Sequence, residues 1–212
     1  TAGMLVCLLT DLHLQPSQPV YLLRRLNAVR EAVLPCELII YCGDILTMDS
    51  CHGSAAACEA HCALARMVVD TIAKPFMFTL GNHDGTPDLP PRECLQQRLA
   101  ASAHHVGQCD ETLDACVHPR LGIATLDSGK QGCHARTHYG CPSAVAASWI
   151  DSTLATRPER FALLVTHIPP PNVLRLSVRG TVGENVCCWD EFAGDDAVLP
   201  SRRPSLHAFG HD

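Results

Sequence analysis

The sequence lacks several features that would place it in a specialised class of protein. No apolar run reaches the length of about 20 residues that a membrane-spanning helix needs. Lys and Arg are scattered, and the net charge of -6 gives no basic surface of the kind that marks nucleic-acid binding. No internal repeat and no low-complexity tract is present. The 212 residues are 47% hydrophobic and 18% charged, which is typical of a globular chain with a sizeable core.

The chain also lacks an initiator Met, a signal peptide at Thr1 and any clear domain boundary. We therefore predict a single domain over residues 1–212, cut from a longer protein and truncated at its C-terminal end. Its targeting information is expected to lie outside this segment, so the sequence names no compartment.

Cysteine is abundant instead of scarce. Thirteen residues, an odd number, leave a disulfide-bonded secreted protein as one option. Cys7 and Cys42 lie in apolar strand-like runs, where we expect free thiols that act as small hydrophobic side chains. The segment Cys58–Cys62 places two thiols on one helix face, but no second pair stands at a zinc-finger spacing, which disfavours structural zinc. The Cys187-Cys188 pair is predicted to be buried or disulfide-bonded.

Apolar runs and helical patterns alternate along the chain and predict an α/β fold. Continuous apolar runs predict strands at 4–9, 38–42, 76–80, 121–126, 161–165 and 205–209, the first of them covered on both faces. Helical patterns cover 19–34, 55–73, 92–103 and 143–156. Residues 104–120 are predicted as loop plus one short strand, and the irregular stretch 168–204 as a loop that shapes the substrate pocket. The strand–helix–strand order at the start predicts a parallel pair.

Five predicted strands are followed at once by residues that can bind metal. These residues are Asp11 and His13, Asp44, Asn82, His167 and His211. Because ligands bind beyond the carboxyl ends of strands in α/β sheets, we expect all six on one edge of the fold. Asp11 and His13 should point the same way, since side chains alternate along an extended segment. The mixed oxygen and nitrogen donors favour two divalent or trivalent ions (Mn, Fe or Zn) that share a bridging carboxylate.

The run Gly81-Asn82-His83-Asp84 adds groups that can carry protons. Gly81 permits a tight turn after the strand at 76–80. The imidazole of His83 can act as an acid or base, and Asp84 can orient and charge-stabilise it. We predict that His83 and Asp84 are catalytic, although a polar turn after a strand is an equally common reason for such a run.

These motifs, taken in order, resemble those of the calcineurin-like metallophosphoesterases. The resemblance rests on Asp11-x-His13, Gly43-Asp44, Gly81-Asn82-His83-Asp84, Thr166-His167 and Gly210-His211, and it runs from residue 4 to the end of the chain. The stretches 126–129, 167–169 and 184–188 are similar to the purple-acid-phosphatase-like subgroup of fungi, plants and protists.

The resemblance implies a four-layer α/β/β/α sandwich and a role for each residue of the site. Asp11 and His13 would bind the first metal, Asp44 would bridge both metals, and Asn82, His167 and His211 would bind the second. His83 would lie over the phosphate with Asp84 behind it. The chain departs from the pattern twice. Thr47 stands where purple acid phosphatases have a metal-binding Tyr, and the given sequence ends at Asp212 without the last histidine of the final motif, a ligand of the first metal. Either the segment was cut there or the first site is weakened.

The function expected from these observations is a dinuclear metal-dependent phosphoesterase that hydrolyses phosphomonoesters by attack of a metal-bridging hydroxide. Its substrate would be a phosphorylated small molecule or a phosphoprotein. One alternative is a phosphodiesterase that acts on cyclic nucleotides or nucleic acid, although the charge balance speaks against nucleic acid. The other alternative is a catalytically weakened module that only binds metal and phosphate.

Overall fold

The computed structural model of the protein describes residues 3–51, 54–85, 91–110, 115–127, 144–156, 163–167 and 206–210. Four α-helices and eight strands lie in these ranges. In chain order they are β1 (Val6–Leu9), α1 (Pro19–Ala32), β2 (Leu38–Cys42), a 3-10 helix (Met48–Cys51), α2 (Ala55–Ile72), β3 (Phe76–Thr79), α3 (Pro91–Ala100), β4 (Gln108–Asp110), β5 (Ala115–Val117), β6 (Ile123–Leu126), α4 (Ala144–Ala155), β7 (Leu163–Thr166) and β8 (Leu206–Phe209). The predicted loop at 168–204 lies outside the described residues.

The first sheet contains three parallel strands in the order β1-β2-β3. Val6 is in register with Leu38, and Ile39 is in register with Phe76. Helix α1 connects β1 to β2 and helix α2 connects β2 to β3. The predicted parallel pair is therefore confirmed, and the carboxyl ends of all three strands lie at the same sheet edge.

The second sheet is mixed, with the order β4-β5-β6-β7-β8. Strands β4, β5 and β6 pair antiparallel, whereas β6, β7 and β8 pair parallel. The prediction of a single short strand within 104–120 is wrong, because β4 and β5 form a hairpin there. Each strand has only three residues, too few for the alternating pattern that identifies a strand from sequence.

Strand β1 does not match its predicted environment. Leu5 is 48% exposed and Leu8 is 45% exposed, so the prediction of a strand covered on both faces is wrong. Within the described residues, β1 lies at one end of its sheet and pairs with β2 alone, whereas β3 at the other end also bridges to His105 and is buried throughout. Strand β2 occupies the centre, and all five of its residues are buried.

The side chains of β2 alternate between two cores. Ile39 and Tyr41 pack with the apolar faces of α1, α2 and α3, whereas Leu38, Ile40 and Cys42 pack with residues of β5, β6 and β7 from the second sheet. A third core joins the second sheet to α4. This mixed α/β arrangement of two sheets and four helices confirms the predicted fold class, while the complete four-layer sandwich stays a prediction.

The helices begin and end near their predicted limits for recognisable reasons. Pro19 occupies the first turn of α1, where its missing N–H costs nothing. The side chain of Ser54 caps α2 by accepting a hydrogen bond from the backbone N–H of Ala57 at 3.2 Å. Ala73 ends α2 in the left-handed conformation with φ 53°. Helix α4 buries Ile150 fully and Trp149 partly, as predicted.

Three disulfides lie within the described residues: Cys7–Cys36, Cys51–Cys58 and Cys109–Cys116. The expectation that Cys7 is a free hydrophobic thiol is therefore wrong, whereas Cys42 is free and buried as expected. The bond from Cys58 to Cys51 also removes one thiol of the helical Cys58–Cys62 pair. The Cys187-Cys188 pair lies outside the described residues.

Within the described ranges, every helix is too short or too polar to cross a bilayer.

Candidate metal centre

The loops that follow β1, β2, β3 and β7 bring five of the six predicted ligands together. Two backbone hydrogen bonds align the first two loops: Asp11 N donates to Gly43 O at 3.2 Å, and His13 N donates to Asp44 O at 2.9 Å. A hydrogen bond from His167 joins the second sheet to this edge. Nδ1 of His167 lies 2.8 Å from the carbonyl oxygen of Cys42. The sixth ligand, His211, lies outside the described residues.

Asp44 is the centre of the cluster and is 1% exposed. Its Oδ2 lies 3.2 Å from His167 Nε2 and 3.8 Å from His13 Nε2, so one oxygen faces imidazoles from two different sheets. Its Oδ1 accepts a hydrogen bond from the backbone N–H of His83 at 2.8 Å. A carboxylate in this position can contact two cations while one oxygen stays fixed by the backbone.

Asp11 and His13, both half-buried, form the more accessible half of the cluster. His13 Nε2 lies 3.7 Å from Asp11 Oδ1, and donor atoms of Asp11, His13 and Asp44 all lie within 4.8 Å of one another. The hydroxyl of Thr47 lies 3.1 Å from His13 Nδ1. This contact orients the ring so that Nε2 faces the two carboxylates. In the sequence, Thr47 was notable only because it stands in the place of a tyrosine. In the structure, its hydroxyl orients the predicted ligand His13.

Asn82 and His167 form the buried half, with 8% and 0% exposure. His167 Nε2 lies 3.0 Å from Asn82 Oδ1 and 3.2 Å from Asp44 Oδ2. Because the Cys42 carbonyl can only accept, Nδ1 of His167 carries a proton, and Nε2 is a lone-pair donor when the ring is neutral. In that state His167 Nε2 faces two acceptor oxygens, those of Asn82 and Asp44, and a metal cation can satisfy such a set of lone pairs.

Burial and charge oppose each other in the Asp44–His167 pair. Burial by itself raises the pKa of Asp44, but the hydrogen bond and positive charge of His167 outweigh it and lower the pKa below its usual value. Burial likewise lowers the pKa of His167, while the hydrogen bond and charge of Asp44 raise it above its usual value. Without a cation, the pair therefore favours a protonated imidazole in the place of the metal.

The backbone is strained at the residues that converge. Non-glycine residues with positive φ in the described ranges are Asp11 (52°), His13 (46°), Asp44 (51°) and Ala73 (53°). Three of these four are predicted ligands, and such strain is concentrated at functional sites. Asp11 and His13 do converge, but the predicted reason was wrong, because neither residue is extended.

Glycine is required where the two sheets approach each other behind the ligands. A Cβ on Gly43, whose φ is 94°, would lie 2.6 Å from the His167 ring. A Cβ on Gly81 would lie 2.5 Å from the backbone nitrogen of Asp44. Any side chain at either position would push the loops after β2, β3 and β7 apart.

Asp84 is fully buried and holds the backbone of the site. Its Oδ1 accepts a hydrogen bond from Leu46 N, and its Oδ2 accepts one from Gly81 N, both at 2.9 Å. Burial and the nearby charge of Asp44 raise the pKa of Asp84 to about 6. The role predicted for Asp84 behind the His83 imidazole stays a prediction.

The ring of His83 packs edge-on against the ring of His13, with centroids 5.1 Å apart.

Sequence reasoning also missed Arg92, the second residue of α3. Its guanidinium is buried and donates to the carbonyl oxygens of Gly81 and Gly85, which flank the Asn82-His83-Asp84 run. The signal in the sequence was weak, because an arginine near the start of a helix is normally a surface residue.

Comparisons with known proteins agree with this geometry. A sequence model described as calcineurin-like phosphoesterase matches residues 4–212. No curated protein matches the chain. Eleven chains of solved structures match it. One crystal structure aligns with a TM-score of 0.56 at 9% identity, over 97% of this chain and 83% of that chain. At this identity, the likeness shows the fold alone.

Proposed function

Because the chain belongs to the calcineurin-like phosphoesterase family, we propose that it is a dinuclear metal-dependent phosphoesterase that acts on phosphomonoesters. The observation that carries the proposal is the position of His167 Nε2, which lies 3.0 Å from Asn82 Oδ1 and 3.2 Å from Asp44 Oδ2, with all three residues buried. One carboxylate, one amide oxygen and one imidazole form a donor set suited to Mn, Fe or Zn.

Two groups of residues would hold the two ions. Asp11 and His13 would hold the first with Asp44, and Asn82 and His167 would hold the second with the same carboxylate. His211 is proposed as a further ligand of the second ion. The chemistry that such ions supply is neutralisation of phosphate charge and a lowered water pKa, toward ~7.

The protein's own contribution is to hold these groups in place before the substrate arrives. The bond from His83 N to Asp44 Oδ1 and the bond from Met48 N to His83 O fix the backbone of His83 on both sides. The half-buried imidazole of His83 then lies beside His13, at the accessible half of the cluster. From there it can bind a phosphate oxygen and give a proton to the leaving oxygen.

The position of Thr47 supports a colourless variant of the purple-acid-phosphatase-like site. Thr47 lies against His13 and offers a hydroxyl, so it cannot give the tyrosine-to-iron charge transfer that produces the purple colour. We propose that the site is otherwise of that subgroup and works with Mn, Zn or iron without a tyrosine ligand.

The test is a comparison of two matched substrates with Mn added. An aryl phosphate and the bis(aryl) phosphate with the same leaving group are assayed with and without a chelator. Faster turnover of the monoester, lost with the chelator, supports the proposal. Faster turnover of the diester would make the protein a phosphodiesterase. Metal binding without hydrolysis of either substrate would make it a binding module.

A further inference from the structure

Arg92 is placed at the junction of the two sheets and the loop that carries Asn82 and His83. It projects from the first turn of α3, and 6% of the residue is exposed. Asp127, which follows β6 in the second sheet, is also 6% exposed. Gly81 follows β3 in the first sheet. A buried arginine therefore joins three elements directly behind the candidate metal centre.

The guanidinium of Arg92 uses all three of its nitrogen atoms. Nη1 donates to Gly81 O at 3.0 Å and to Gly85 O at 2.8 Å. Nε donates to Asp127 Oδ2 at 3.0 Å, and Nη2 donates to the same oxygen. Four directed bonds from one rigid plane are beyond the reach of a lysine, whose ammonium has three donors on a single atom.

The two carbonyl oxygens lie on either side of Asn82, His83 and Asp84. Arg92 thus fixes the separation of the two ends of this run, while Asp84 holds it from inside through Gly81 N. Gly85 has φ 119°, and a Cβ there would lie 3.1 Å from Arg92 N, so the chain approaches the start of α3 very closely.

Asp127 stabilises the buried charge of Arg92. A buried guanidinium without a counterion would carry a large desolvation cost, and a carboxylate in contact with it offsets that cost. Asp127 also connects Arg92 to the second sheet, which supplies His167. A second hydrogen bond joins the two sheets nearby, since Thr79 Oγ1 donates to Leu126 O at 3.0 Å.

We propose that Arg92, held by Asp127, is a positioning residue that sets the geometry of Asn82 and His83 by clamping Gly81 O and Gly85 O. The proposal rests on the proposed function, because it assigns Asn82 to the second ion and His83 to proton transfer. Loss of the clamp should therefore weaken one metal site and slow turnover without removing any ligand.

The test compares Arg92→Lys with Arg98→Lys. Arg98 is on the same helix but is half-exposed and pairs with Glu59, so its replacement is a control for charge and helix. Mn binding is measured by electron paramagnetic resonance, and kcat and KM are measured on an aryl phosphate. For Arg92→Lys we expect 10–100-fold weaker Mn binding at one of two sites and at least a tenfold lower kcat, with KM changed less than threefold. Arg98→Lys should match the wild type.

A purely structural role predicts a different result. It would lower the unfolding temperature of Arg92→Lys but leave Mn affinity and kcat per folded molecule unchanged, and that outcome would overturn the proposal. If Arg92→Lys does not fold, the double variant Arg92→Met/Asp127→Leu removes the buried charges together. In that folded variant, wild-type Mn affinity and kcat would equally overturn the proposal.

Hydrogen exchange separates failure of the clamp from failure of the proposed function. If the wild type neither binds Mn nor hydrolyses a phosphoester, the proposed function is wrong. The amides of residues 82–85 still report on the clamp in that case. Exchange at least tenfold faster in Arg92→Lys than in Arg98→Lys supports the clamp, and equal exchange rejects it.

Discussion

Asp44 has the most constrained position of the residues in the candidate centre. One of its oxygens accepts a backbone N–H, and the other faces His13 and His167. Its backbone has a positive φ of 51°, and Gly43 before it is needed for close packing against His167. Backbone strain of this kind is concentrated at functional sites, and this is the basis of the following prediction.

We expect Asp44→Asn to abolish metal binding at both positions and to reduce phosphoesterase activity below detection. The amide is nearly isosteric but has no negative charge to share between two cations. The measurement is metal content per chain alongside turnover of an aryl phosphate. Asp70→Asn, in α2, is the control and should keep both metal and activity, because this carboxylate pairs with Arg66 and Ser102 instead of the candidate ligands. Normal metal content in Asp44→Asn would rule out a shared carboxylate at this position.

His83 is expected to separate proton transfer from metal binding. His83→Ala removes an imidazole but keeps the backbone bond to Asp44, so metal content should stay near that of the wild type. Turnover of an alkyl phosphate, whose leaving group needs a proton, should fall ~10²–10⁴-fold. Turnover of an aryl phosphate with a good leaving group should fall less. An equal loss on both substrates would make His83 a phosphate-binding residue only.

At the scale of elements, the strands and helices of the first sheet were predictable because each carries its own signal. The runs of β2 and β3 are buried on both faces and therefore continuously apolar, and α1 and α2 have clear start signals at Pro19 and Ser54. The exposure of β1 could not be predicted, because a strand's place in the sheet depends on which neighbours pair with it. The hairpin β4–β5 was missed because its strands are three residues long.

The candidate site was predictable in composition but not in conformation. Asp11, His13, Asp44, Asn82 and His167 follow strands, and the ends of parallel strands must meet. The left-handed conformations of the first three residues are set by contacts between loops far apart in sequence, which no local pattern encodes. Arg92 and Thr47 act on ligands through tertiary contacts, and nothing near them in the sequence indicates this.

The connection between α3 and β4 contains a group that should make the fold sensitive to acid. His105 packs against the rings of Phe76 and Phe78 of β3, with centroids 5.5 Å and 5.3 Å away. Burial lowers the pKa of His105 to about 4. The folded state binds a proton on His105 less readily than the unfolded state. Neutral His105 therefore leaves stability complete above pH ~6.5, and the free energy of unfolding decreases as the pH falls from there toward 4.

We therefore expect His105→Gln to lose less stability than the wild type between pH 7 and pH 5. The difference should be on the order of 1–2 kcal/mol in the free energy of unfolding, measured with urea at both pH values. His104→Gln replaces the adjacent half-buried histidine and is the control. An identical acid loss in His105→Gln and the wild type would show that other groups cause it.

At the scale of the whole molecule, the most exposed strand of the first sheet leads into half of the candidate centre. Strand β1 is at the edge, is partly exposed and pairs with β2 over four residues. The loop after it supplies Asp11 and His13. The disulfide Cys7–Cys36 joins β1 to the segment just before β2, with a sequence separation of 29 residues, and so encloses both ligands and α1. The covalent bond ties this partly exposed strand to the residues just before β2.

Cys7→Ala/Cys36→Ala should lower the free energy of unfolding by about 3–4 kcal/mol, because a long loop regains its freedom in the unfolded chain. The control is Cys51→Ala/Cys58→Ala, whose separation of 7 residues predicts a smaller loss of about 2–3 kcal/mol. Both are measured by urea unfolding under non-reducing conditions.

Since β1 should fray first in the Cys7→Ala/Cys36→Ala variant, Mn binding should weaken at the Asp11–His13 position before the Asn82–His167 position. Equal weakening at both positions would mean that the edge strand opens only when the whole molecule unfolds.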